Sequence, residues 1–198
     1  MFSDCNLLEK VDLSNLNGQN INLMGNMFFG CQKLKYVNFS KFDFQNVINF
    51  CSLFTNCISL ENIELSNMNF QNVEDFLIIF GNCKFLKSVK LLNLNTKNLK
   101  SMDSMFLDCA SLETVDFSNI DTENVTNMEY MFSGCESLKN VNLSCFNAEN
   151  VKFMDKMFYG CKSLTSIDLS NFNTKNLREM NSMFEDCILL KYIDLSNL

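Results

Sequence analysis

Cysteine recurs every 26 residues, at 5, 31, 57, 83, 109, 135, 161 and 187, with phenylalanine three residues before each and leucine three after. Three columns without an exception cannot arise in an irregular globular chain. A fixed period of this length marks a repeat architecture, in which each unit buries its apolar face against the next. The copy at residues 105–130, MFLDCASLETVDFSNIDTENVTNMEY, is the clearest. The 198 residues hold seven complete units and most of an eighth. The expectation is one solenoid over residues 1–198 with no internal linker. Neither end carries a capping repeat, as expected for a segment cut from a longer chain or, alternatively, for a short free-standing reading frame.

Within one unit the apolar spacing changes period. Leu112, Val115 and Phe117 end in period-two alternation, which predicts a short strand with Val115 and Phe117 inward. The matching inward pairs begin with Val11/Leu13 and Val37/Phe39 and run through to Ile193/Leu195. β-branched residues fill the first column throughout, as strands prefer. In the other half Val125, Met128, Met131, Phe132 and Cys135 fall at three- and four-residue steps, which predicts a short amphipathic helix. Gly, Asp or Asn stands before every repeat cysteine (Asp4, Gly30, Asn56, Asn82, Asp108, Gly134, Gly160, Asp186), types that suit a left-handed helix end. The expected class is therefore α/β: a right-handed, leucine-rich-repeat-like solenoid of about 7.5 turns. Each turn holds a parallel strand and a short helix, with the sheet on the concave side.

Two unvarying polar or reactive columns invite chemistry. Cys31, Cys57, Cys83, Cys109, Cys135 and Cys161 lie between Phe and Leu columns. A zinc site needs about four ligands converging on a point, whereas equivalent solenoid positions form a line. With no histidine in the chain, the usual co-ligand and thiol-activating base are missing. The thiols read as small buried hydrophobes, with disulfides between turns and metal as the alternatives. Cys51 and Cys145 lie off the ladder and are expected nearer the surface. The second column, Asn46, Asn72, Asn98, Asn124, Asn150 and Asn176, precedes each expected helix. Asparagine there either caps the helix or bridges neighbouring backbones. Asp or Asn three residues earlier (Asp43, Asn69, Asp121, Asn147) fits an Asx turn.

Function is expected where copies differ. The exposed strand column reads Asp12, Asn38, Glu64, Lys90, Asp116, Asn142, Asp168, Asp194. It is either a solubilising face with like charges spaced apart, or an acidic groove edged by Tyr36 and Tyr192 that receives a basic or polar partner. A second candidate is apolar: Phe44 and Phe70 stand where later turns carry Thr96, Thr122 and Thr174, with Leu77 and Ile78 nearby. Such a concentration marks either an interface or thicker packing. The net charge of −7 argues against a nucleic-acid or anionic-membrane surface, and no apolar run approaches the roughly 20 residues of a membrane helix. No catalytic, cofactor or metal site is expected. The chain offers no Gly-rich phosphate loop, no nucleophile–base pair and no convergent carboxylates.

The pattern MFxxCxxLxxVDLSxFxTxNVxxM resembles the BspA-type leucine-rich-repeat surface proteins. It is carried here by residues 131–138 (MFSGCESL) and 167–174 (IDLSNFNT, with Ile for the pattern's Val). The resemblance implies a non-enzymatic protein-interaction module, part of a cell-surface adhesin that binds host or neighbouring-cell proteins. A scaffold that self-associates through its ends or the early-turn apolar patch is the alternative.

Overall fold

A computed structural model describes residues 1–195 and 197–198. Among them, seven three-residue strands follow the repeat period, with one gap: residues 140–142, where the pattern also predicts a strand, form none. They are β1 (Lys10–Asp12), β2 (Tyr36–Asn38), β3 (Asn62–Glu64), β4 (Ser88–Lys90), β5 (Thr114–Asp116), β6 (Ser166–Asp168) and β7 (Tyr192–Asp194). In β1, β3, β5 and β6 the central β-branched residue is buried and both neighbours are exposed, as one-sided burial of an alternating strand requires. Pairing is parallel and in register by one repeat: Val11 faces Val37, Ile63 faces Val89, Val89 faces Val115, and Ile167 faces Ile193. The architecture is a parallel β-solenoid. Its strands form three separate sheets, β1-β2, β3-β4-β5 and β6-β7, rather than one.

The expected short helix in each turn does not form. The segment that should be helical carries two left-handed residues four positions apart in every described copy. In the fourth such copy these are Ser104 (φ 55°) and Asp108 (φ 58°), and in the first Asn26 (φ 57°) and Gly30 (φ 72°). A positive φ ends a helix but is what the third position of a type II turn requires. The turn bonds are present: Met105 N–H donates to the Met102 carbonyl at 3.4 Å and Cys109 N–H to the Phe106 carbonyl at 3.1 Å. Alternate amides leave the turn altogether. Met102, Ser104, Phe106 and Asp108 donate to carbonyls of Asn127, Glu129, Met131 and Ser133 in the next coil, at 2.8–2.9 Å. Two consecutive turns place Met102, Met105, Phe106 and Cys109 inward, which reproduces the three- and four-residue spacing of a helix. The residue before each repeat cysteine is left-handed, as its type suggested, but as part of a turn. At Ile78 (φ 48°) the same backbone is imposed on a β-branched side chain, a strained choice of roughly 1–2 kcal/mol.

The unvarying columns are the core. Phe2, Phe28, Phe54, Phe80, Phe106, Phe132, Phe158 and Phe184 form one continuous stack, with centroids 5.4–5.6 Å apart and planes within 9°. Phe44 and Phe70, expected as a surface patch, are buried instead, at 2% and 0% exposure. Their column points inward. Where Thr96 and Thr122 sit buried and donate to the next coil's Asp121 and Asn147 carbonyls, Phe44 and Phe70 fill the same place with rings packed on each other and on Phe50 at 4.9–5.9 Å. The thicker-packing alternative holds for this pair. Leu77 is 36% exposed and Ile78 half-buried, with Ile48 and Phe85 open to solvent.

Candidate functional site

The two ladders that suggested chemistry are used structurally. Cys57, Cys83, Cys109, Cys135 and Cys161 are buried, and each thiol donates to the carbonyl of the repeat phenylalanine one coil back, at 3.0–3.2 Å. Cys31 makes the same bond to Phe2 at 3.0 Å. Burial pushes these thiols above their ordinary pKa. The off-ladder Cys145 is exposed and Cys51 half-buried, but partial burial raises both, which works against thiolate reactivity at neutral pH. The asparagines bridge coils rather than cap helices. Asn46, Asn72, Asn98, Asn124, Asn150 and Asn176 each donate Nδ2–H to a carbonyl of the preceding coil, at 2.6–2.9 Å. The Asx turns form as expected, with Asp43, Asp121 and Asn147 accepting from the amide two residues on at 2.9–3.0 Å.

The variable residues gather on the strand face. Asp12, Glu64, Asp116 and Asp168 are exposed there and Asp194 is half-buried, with Tyr36 and Tyr192 54% and 69% exposed. Hydrogen bonds from the hydroxyls, then the amides, of Ser14, Ser118 and Ser170 hold the carboxyls of Asp12, Asp116 and Asp168 below their ordinary range. Lys90 lies among them, 3.8 Å from Glu64. The face is therefore an ionised, acidic surface at neutral pH, with rigidly held carboxylates. Phe44, Phe70, Leu77 and Ile78 do not join it.

The strand face also opens where the sheets separate. Leu13, Leu65 and Leu91 each donate their amide across to the next strand, to Asn38, Lys90 and Asp116 carbonyls at 2.8–2.9 Å. Phe39 and Phe117 hold the same position and make no such bond among the described residues. At the two phenylalanines a larger ring stands in the way, whereas Leu143, which also makes no such bond to the Asp168 carbonyl, borders residues 140–142, which form no strand. Phe39 lies edge-on to Phe28 and Phe54, and Phe117 edge-on to Phe106 and Phe132, so each ring bridges two coils at 6.3–6.5 Å. A backbone change coincides with each wedge. Asn67, Asn93 and Asn119 follow the middle strands with φ of 54–61°, whereas their counterparts Lys41 and Cys145 across the breaks do not enter the left-handed region.

Each wedge leaves a cleft. The first, about 310 Å³ between β2 and β3, is lined by Tyr36, Asn38, Asn62, Glu64 and Ser66, and the Ser66 hydroxyl oxygen is buried without a partner. The second, about 490 Å³ beside β5, is lined by Thr114, Asp116, Asn140, Asn142 and Cys145. A third, smaller opening of about 130 Å³ beside β6 is occupied from within. There Asn171 Nδ2 donates to the Leu143, Ser144 and Phe146 carbonyls at 3.0–3.2 Å. Sequence reasoning placed Phe39 and Phe117 inward but missed their consequence. The available signal was that they are the two phenylalanines in an otherwise all-leucine column.

The fold and this face can be set beside known proteins. The T. pallidum leucine-rich-repeat protein is 24% identical, with 82% of this chain and 68% of that one covered at a TM-score of 0.56. A leucine-rich-repeat protein from Bacteroides ovatus is 21% identical at the same TM-score of 0.56. It is covered over 98% of this chain, which spans 50% of its length. These likenesses show the fold and agree with the BspA-type repeat pattern. A search of curated proteins gives no match. The family described as "Mycoplasma protein of unknown function, DUF285" matches residues 1–115 and again 79–196. With the repeat accounted for over nearly its whole length, the chain belongs to the DUF285 family.

Proposed function

We propose that this chain is a non-enzymatic protein-interaction module that receives its partner on the strand face, as part of a protein displayed at the cell surface. The observation that carries the reading is the division of labour between columns. The unvarying Phe, Cys, Leu and Asn positions are consumed by packing and cross-coil bonds. The variable acidic, tyrosine and amide residues are the ones left open to solvent on one face. Solenoids bind along such extended surfaces, and Tyr is enriched at binding hot spots. No helix among the described residues is long and apolar enough to cross a membrane. Surface display rests on the repeat pattern shared with BspA-type surface proteins.

A photoreactive phenylalanine analogue tests the reading when placed at Tyr36 and, as a control off the strands, at Phe85. Irradiation with solubilised cell-surface proteins should give discrete adducts from position 36 and none from position 85. Equal adducts from both, or none from either, would sink the strand-face assignment. Of the early-turn patch, the scaffold reading keeps the exposed Ile48, Leu77 and Phe85. It predicts concentration-dependent sedimentation that Ile48→Ser with Leu77→Ser abolishes, and a monomer at all concentrations would end it.

A further inference from the structure

Building on the strand-face reading, we propose that its partner is an extended dibasic segment whose two basic side chains, four residues apart, enter the two wedge clefts. Both clefts are rich in acceptors. The first gathers the Glu64 carboxylate with the Asn38, Asn62 and Ser66 oxygens. The second gathers the Asp116 carboxylate with Asn140 and Asn142. Lysine offers three donors and arginine five, with no acceptor to conflict. The chain itself shows that a donor-bearing side chain suits such an opening. Asn171 fills the third with three bonds to carbonyls, whereas in the second cleft the same column holds Cys145, which offers one thiol bond to the Phe117 carbonyl at 3.3 Å. The Ser66 hydroxyl in the first cleft has no partner at all.

Spacing fixes the rest. Equivalent wall residues, Tyr36 and Thr114, lie 78 residues or three coils apart, which is roughly 14 Å at ~4.8 Å per paired strand. An extended chain rises about 3.4 Å per residue, so four residues span the distance. Positions i and i+4 of a strand also point to one side, so both side chains face the clefts together. Lys90 stands between the clefts and is the competing cation.

The test is fluorescence anisotropy with labelled Ser/Thr-rich peptides carrying two arginines spaced by two, three, four or six residues. The four-residue spacing should bind tightest. Glu64→Gln and Asp116→Asn should each weaken it roughly fivefold, and Lys90→Ala should tighten it. All three are exposed positions, and circular dichroism verifies each fold. Affinity indifferent to spacing, or unmoved by both carboxylate variants, overturns the proposal. If no dibasic peptide binds while cross-links through position 36 persist, the dibasic inference falls alone. If the cross-links fail too, the strand-face reading falls with it.

Discussion

At the scale of single residues, the repeat's constant positions are explained by the bond each makes to its neighbour. Asn124 donates to the Lys97 carbonyl at 2.7 Å from a solvent-exposed position, so Asn124→Ala should cost about 1 kcal/mol, the net worth of one hydrogen bond. An unchanged urea midpoint would contradict that role. Glu129 represents the opposite case. Burial, then the nearby Asp103, Asp155 and Glu179 carboxylates, raise its pKa above the ordinary 4.5. A carboxyl raised on folding favours the native state while protonated, and that advantage is lost as pH climbs through the folded value. Glu129→Gln should therefore raise the melting temperature at pH 7 and leave it unchanged below pH 4.5, the group's ordinary value. An equal shift at both would exclude the electrostatic cause. The left-handed residues before each cysteine were legible in the sequence because Gly, Asn and Asp advertise that backbone. The second left-handed column was not, because Asn26, Ser52, Ile78, Ser104, Tyr130, Lys156 and Ser182 share no conformational signature. That hidden column turned an expected helix into two turns.

Elements extend these local rules. The phenylalanine stack is the chain's longest continuous contact, and Phe106 sits fully buried in it, 5.4 Å from both Phe80 and Phe132. Phe106→Ala should destabilise by about 3–5 kcal/mol through lost burial and the cavity left between two rings. A loss below 1 kcal/mol in denaturant titration would show that the stack is dispensable. The strands were readable from alternation, and their register from the period alone. Where they fail to pair was not: a larger ring marks two of the openings, at Phe39 and Phe117, but Leu143 fails to pair while sharing its side chain with leucines that do. Phe117→Leu removes that wedge. It should let residue 117 donate across as Leu13, Leu65 and Leu91 do, slowing its amide exchange at least tenfold. Exchange as fast as in the parent would mean that the backbone change at Cys145 keeps the sheet apart without the ring.

For the whole molecule, coils touch only their neighbours, so stability spreads along the chain through many small terms. Among the described residues, six Lys–Glu pairs, each between residues one repeat apart, run along the exterior at 2.7–3.8 Å. Being half exposed, each contributes at most about 1 kcal/mol. The candidate site belongs to this scale, because it exists only where three sheets meet imperfectly. Residue-by-residue reading found its carboxylates and tyrosines but not its clefts. It left Phe44 and Phe70 open between an interface and thicker packing, and the direction of the threonine column, invisible in composition, decided for packing. The account therefore rests on a ladder that opens at two phenylalanine wedges and once more beside Leu143. Amide hydrogen exchange on the intact chain tests it most directly. Protection should be high at residues 13, 65 and 91 and low at 39 and 117; uniform protection across all five would contradict the account.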